Sequence, residues 1–178
     1  MKVIKHWTIK IFFITLIISA GVSVAAEYFI GNLSLGASIA VLAGLIVIGI
    51  VFDIVGVAFS SCDHAPFIAM SAKKNQKAYH ALKLLKNADV VANFCNDVIG
   101  DICGIVSGAA GSAITLKAMM MRVPLPEMAL AIAVSAFIAA GTVAGKAWGK
   151  GIAMRNSRRI VLAIGSFVYF FSAGKTKK

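Results

Sequence analysis

Apolar residues gather into four runs, each long enough to cross a bilayer, which takes about 20 residues. The runs extend from about Trp7 to Ile30, Gly36 to Ser60, Val90 to Leu116 and Pro126 to Trp148. A fifth run, Ile160 to Phe171, has only 12 residues and predicts a short C-terminal interfacial or re-entrant helix. Between the second and third runs, Gln76 to Asn87 reads as a short helix. Ala78, Leu82 and Leu85 recur there at i, i+4, i+7, with Lys77, Lys83 and Lys86 beside them. An apolar stripe flanked by lysines fits a juxtamembrane helix on the inner leaflet. The pattern predicts an all-α, polytopic helical membrane protein: four transmembrane helices, the juxtamembrane helix and the interfacial helix. Residues 1–178 form a single transmembrane domain, with no fixed-period repeat and no low-complexity tract.

Composition strengthens this reading. Hydrophobic residues make up 60% and charged residues 14%, against about 45–50% and about 25% in soluble domains. A disordered chain and a soluble globule are excluded, and no nucleic-acid partner is expected. The net charge of +11 is distributed unevenly. Lys2, Lys5 and Lys10 open the chain, five lysines lie between spans two and three, and eight basic residues follow from Lys146 onward. Only Lys117 and Arg122 fall on the opposite side. Lys and Arg collect in cytoplasmic loops, so both termini are expected in the cytoplasm of a multi-pass plasma-membrane protein. The basic start, the apolar run and the small residues Ser23 and Ala25 also resemble a cleavable signal peptide. The length of the apolar run favours a retained helix.

Carboxylates are scarce. Of seven, Glu27, Asp53, Asp97 and Asp101 sit inside predicted spans, and Asp63 follows the second. An Asp at a span centre costs roughly 2.5–3.5 kcal/mol on insertion scales, so such residues face cavities, ions or one another. At about 100° per residue, Asn93, Asp97 and Asp101 share one helix face. Gly100, Gly104, Gly108 and Gly111 fall in the same arc. Val98, Ile99, Ile102, Ile105 and Val106 cover the other side, the expected lipid face. Glycines admit a second backbone closely. Its carbonyls, with two carboxylates, would make the oxygen-rich set that hard cations such as Mg²⁺ take. On span two, Gly49, Asp53, Gly56 and Ser60 line a narrow arc. Asp53 is a candidate ligand, proton carrier or mate of a basic group. Glu27 reads as reaching headgroups.

Other chemistries find less support. Cys62, Cys95 and Cys103 form no C-x-x-C pair, and Cys62-x-His64 has no second pair at zinc-finger spacing. They read as small apolar packing residues. The chain lacks G-x-S-x-G, H-E-x-x-H and a Walker loop, so no enzyme and no organic cofactor are expected.

Several motifs, in order, resemble the transmembrane domain of the CNNM/CorC (CorB) magnesium transporter family. F-S-S-C-D-H-A (Phe59 to Ala65) matches the family's F-S-x-x-E-x-A at Ser60 and Ala65, with Asp63 in place of Glu. K-A-Y-H-A-L-K-L-L (Lys77 to Leu85) resembles its basic juxtamembrane helix. Asn96-Asp97 and Asp101 stand where the family has G-N-x-x-x-N, with both Asn replaced by Asp. Gly141 and Lys146 match G-E-x-x-P-K, whereas Thr142 and Gly145 depart. R-N-S-R-R (Arg155 to Arg159) resembles R-N-P-x-R. The similarity covers about 36–171, leaving 7–30 as an additional N-terminal span.

The resemblance implies a homodimer that transports Mg²⁺, coupled to Na⁺, through a buried site in each transmembrane domain. It implies that Ser60, Asp97, Asp101 and Gly141 line that site, Asn93 sharing their face. Asp53, Asp63 and Asn96 would hold supporting or ion-coupling positions. Asp in place of Asn adds negative charge, which would raise cation affinity or make binding H⁺-dependent. The family's CBS domains are absent from the chain, so ATP binding does not carry over, and regulation would come from a soluble subunit. The competing expectation is a non-transporting membrane subunit or scaffold that keeps the fold and partners another protein. A third is a proton- or Na⁺-coupled carrier of another solute.

The charge asymmetry makes a direct prediction. With single cysteines introduced at Asn75 and Arg122, an impermeant thiol reagent outside the cell should label the Arg122 position and spare the Asn75 position. The reverse pattern would invert the orientation.

Overall fold

The structure is a computed structural model that describes residues 2–121 and 124–173. The side chains of residues 2–8, 11, 26, 27, 29, 172 and 173 are outside that description. The expectations for Glu27, Arg122 and the C-terminal lysines therefore fall outside the described residues.

The chain is all-α. Seven α-helices and one π-helical stretch occur among the described residues: α1 (Lys2–Asn32), α2 (Leu35–Ser60), α3 (Ala65–Ala72), α4 (Gln76–Leu85), α5 (Ala88–Asn93), the π-helical Phe94–Ile99, α6 (Gly100–Met120) and α7 (Glu127–Ala173). Four segments are long and apolar enough to cross a membrane: Phe12–Asn32, Leu35–Ser60, Ala88–Met120 and Glu127–Phe171. The protein is a multi-pass membrane protein with two further short helices, α3 and α4. The juxtamembrane helix forms as expected, whereas α3 has no counterpart in the hydrophobic pattern. Its eight residues complete barely two turns, too few for a period to stand out.

The C-terminal segment differs in how it is joined. α7 has 47 residues and carries the fourth span and Ile160–Phe171 in one helix, interrupted by non-helical backbone at Asn156 (φ −117°, ψ 17°). The Asn156 amide donates to the Ile152 carbonyl at 3.2 Å and so serves the turn before the break.

Contacts group the chain into two compact units, one of Met1–Ile50 with Val98–Gly145 and one of Val51–Asp97 with Lys146–Lys178. In the first, Ile30, Leu42, Ala110 and Ile114 form one buried cluster. Val98, Ile102 and Val106 form another, with Val22 and Leu45 against it. α1 thus meets α6 at increasing residue numbers in both helices. The two run parallel, as spans separated by one crossing must.

The α1–α2 connection is held by a cation. Helix ends leave carbonyls without intrahelical partners, and in hydrocarbon such groups are costly. Lys117 Nζ donates to the Ile30 carbonyl, to Leu33 O at 2.6 Å and to Ser38 Oγ at 3.1 Å. Ser38 is fully buried, and its hydroxyl also donates to Ser34 O at 3.1 Å.

In the second unit, Phe59, Cys62, Phe67, Ala81, Leu85 and Val161 form the core. α3 is opened by Asp63, whose Oδ1 accepts from the Ala65 N–H at 3.0 Å, and by Pro66 in its first turn. α4 is capped by Asn75, whose side-chain oxygen accepts from the N–H groups of Lys77 (3.1 Å) and Ala78 (3.3 Å). The apolar stripe of α4 is spent on protein: Ala78, Ala81 and Leu85 are buried. Lys77, Lys83 and Lys86 remain exposed. His64 Nε2 lies 3.0 Å from the Leu85 carbonyl and ties the start of α3 to the end of α4.

α7 crosses α4 where both residues are small. A Cβ built on Gly165 would lie 2.8 Å from the backbone of Ala81, an atom that cannot rotate away. Gly165→Ala should therefore destabilise this unit by about 1–3 kcal/mol, the usual cost of overpacking. Thermal unfolding in detergent should show a lowered midpoint, and Gly151→Ala, where a Cβ meets nothing within 4 Å, should not.

Candidate functional site

The acidic span is not a uniform α-helix. Phe94–Ile99 is π-helical and includes Asn96 and Asp97. A π turn takes up one extra residue, which breaks the even 100° register assumed between Asn93 and Asp101. π turns inside α-helices occur frequently at functional sites.

Each expected site residue can be placed in its own unit. In the unit of 51–97 and 146–178, Asn93 and Asp97 are exposed. Asn96 packs on Gly56, where a Cβ would collide with its amide group. Its Oδ1 is buried with no hydrogen-bond partner. Asp53 forms an ion pair with Lys146, Oδ1 to Nζ 3.7 Å. Ser60 donates to the Val57 carbonyl at 3.0 Å and is exposed. Asp63 is committed to opening α3. Among the described residues, no three His, Cys, Asp or Glu side chains gather as a metal cluster.

In the other unit, Asp101 is exposed in the first turn of α6. Gly104 and Gly108 follow it on the exposed side, and a Cβ on either would meet nothing within 4 Å. Gly141 on α7 is equally open. A cavity of about 520 Å³ lies along this surface, lined by Gly104, Gly108, Ser112, Glu127, Ser135 and Thr142 among others. Thr142 donates to the Ile138 carbonyl at 2.7 Å.

One sequence-based expectation is overturned. Val98, Ile102 and Val106 do not form a lipid face; they are 4%, 4% and 0% exposed, packed with Val22 and Leu45. The additional span α1 supplies part of that cover. Ile105, 61% exposed, does remain on the outside.

The sulfur chemistry is quiet. All three cysteines are buried and none is in a disulfide. Burial pushes the Cys62 thiol above its ordinary range, opposed by a hydrogen bond with Ser157; Asp63 raises it further and Arg158 lowers it. A thiol so placed is a poor nucleophile.

Two residues were not singled out as partners from the sequence. Lys117 counted only as one of two basic residues on the sparse side, yet it closes the α1–α2 connection. Lys146 counted as a cytoplasmic-side charge and as a motif match, yet it pairs with Asp53. The available signal was depth: each lies at or within the end of an apolar run, where a cation needs an oxygen partner.

No family model, no curated protein and no solved structure matches the chain. The likeness to the magnesium transporter family therefore rests on the short motifs alone.

The ion pair yields a test of what Asp53 does. Removing one member of a partly buried pair leaves the other charge uncompensated, which costs more than removing both. Lys146→Met should lower the unfolding midpoint, and adding Asp53→Asn should restore much of the loss. Additive losses in the double variant would show that the two groups act independently.

Proposed function

We propose that the chain transports a divalent cation, Mg²⁺ first among them, across the plasma membrane, as a homodimer with both termini in the cytoplasm. The observation that carries this reading is Asp101: an exposed carboxylate on a membrane-spanning helix, followed by the open faces of Gly104 and Gly108. In hydrocarbon such a carboxylate is expensive, and a cation, a second copy of the chain, or both would relieve it. Small residues without neighbours are suited to close helix–helix approach. Asp97, four residues earlier in the sequence, is the second ligand we assign, with Ser60, Asn93 and Gly141 as carried-over candidates and Asn96 offering an uncommitted oxygen. Mg²⁺ is cargo here, and no catalytic step or organic cofactor is proposed. Asp53 serves structure, as the mate of Lys146. Coupling to Na⁺ or H⁺ and a soluble regulatory subunit belong to the same proposal.

A second reading has one observation in its favour. Ser60, Asp53 and Asp63 all have partners within the chain, as they would in a scaffold subunit that no longer carries ions.

Calorimetric titration of the purified protein with Mg²⁺ separates the two. Asp97→Asn, which restores the family residue, should keep the fold and shift the affinity. Asp101→Ala should abolish divalent binding. Full Mg²⁺ affinity in the Asp97→Ala, Asp101→Ala double variant would overturn the site, and absence of any binding by the parent chain would favour the scaffold.

A further inference from the structure

The end of α7 carries two kinds of exposed group on one line. Val161 and Gly165 are buried, with Gly165 against Ala81 of α4. On the opposite face Arg159, Ala163, Phe167 and Phe170 follow at i, i+4, i+8 and i+11, and all are exposed. Phe167, Phe170 and Phe171 are 63%, 77% and 63% exposed. They nevertheless cluster, with ring centroids 4.7 Å apart for Phe167–Phe171 and 6.1 Å for Phe170–Phe171. Arg155 and Arg158 are exposed as well, so three guanidinium groups sit within five residues around the break at Asn156.

None of these arginines has a carboxylate at ion-pair distance; among the described residues the ion pair is Lys146–Asp53. No acidic residue occurs anywhere from Lys146 to the end of the chain. The segment is therefore cationic at its start and aromatic at its end. The two are about 16 Å apart along the helix, at 1.5 Å per residue. A helix entering a leaflet obliquely would set its guanidinium groups at phosphate depth and its rings among acyl chains.

We propose that this segment is a binding site for anionic phospholipid. Arg155, Arg158 and Arg159 take the phosphate, for which the planar guanidinium fork is well matched, and Phe167, Phe170 and Phe171 seat in the acyl region. A zwitterionic headgroup brings its own ammonium, which competes with the arginines. A phosphatidylglycerol-type headgroup does not. The site is independent of the cation pathway and of the transport reading.

The test uses the full chain in nanodiscs of phosphatidylcholine, with and without phosphatidylglycerol, read by thermal unfolding and by native mass spectrometry of retained lipid. Phosphatidylglycerol should raise the unfolding midpoint of the parent. The triple variant Arg155→Gln, Arg158→Gln, Arg159→Gln should lose that rise, with lipid affinity falling on the order of 100-fold, given about a factor of five per interfacial cation. Its Mg²⁺ titration should be that of the parent. A triple Arg→Lys variant keeps the charge and should keep part of the selectivity, which covers the case in which the Gln variant does not fold. Lys83→Gln with Lys86→Gln on α4 should leave the rise intact. The proposal is overturned if the Gln triple retains the full rise, if the α4 lysines account for it, or if the parent retains no phosphatidylglycerol. It is equally overturned if inorganic phosphate added to phosphatidylcholine discs reproduces the rise, which would make the site one for free anions.

Discussion

Hydrocarbon does not solvate charge, and this constraint organises both units of the protein. Every ionised or hydrogen-bonding group at membrane depth needs a partner from the chain, a bound ion or a neighbour. The Lys117 ammonium answers the free carbonyls at the end of α1, and Lys146 answers Asp53. Thr115 returns its hydroxyl to its own helix at Gly111 O (3.0 Å), and Ser166 does so at Leu162 O (2.8 Å). Against that background Asp97 and Asp101 stand out as carboxylates for which the chain itself provides little.

The glycines divide along the same line. Gly56 and Gly165 are closed in: a Cβ on the first would displace the Asn96 amide, and on the second it would press on the backbone of Ala81. Gly104, Gly108 and Gly141 face open space. The first kind is explained by packing inside the chain. The second is left for something outside it, and α6 carries Asp101 at the head of that unpartnered surface.

The number and order of the spans, and the approximate limits of the first three, were legible because 20-residue apolar runs leave little room for another interpretation. The juxtamembrane helix was legible from its 3.6-residue period and its lysines. α3 was not, because Asp63 and Pro66 mark a helix start only once the next turn is known to continue. The long reach of α7 was hidden by Arg155, Arg158 and Arg159, which read as a loop although the helix passes through them. At the site, the acidic residues could be found from the cost of carboxylates in apolar runs. Which side of the third span is covered could not: Val98, Ile102 and Val106 look like lipid-facing residues until α1 is seen to supply Val22.

The π-helical stretch is, in crystallographic terms, a dislocation: a helical lattice carrying one residue more than its turns require. Such a defect keeps the hydrogen bonds on either side while offsetting their phase, so the residues before Phe94 and those after Ile99 are not bound to a common stripe. Removing one residue between them would close the wide turn into ordinary α-helix. The surplus residue is thus a phase setting, one that lets the polar groups of this span be aimed separately without shortening the helix that carries them.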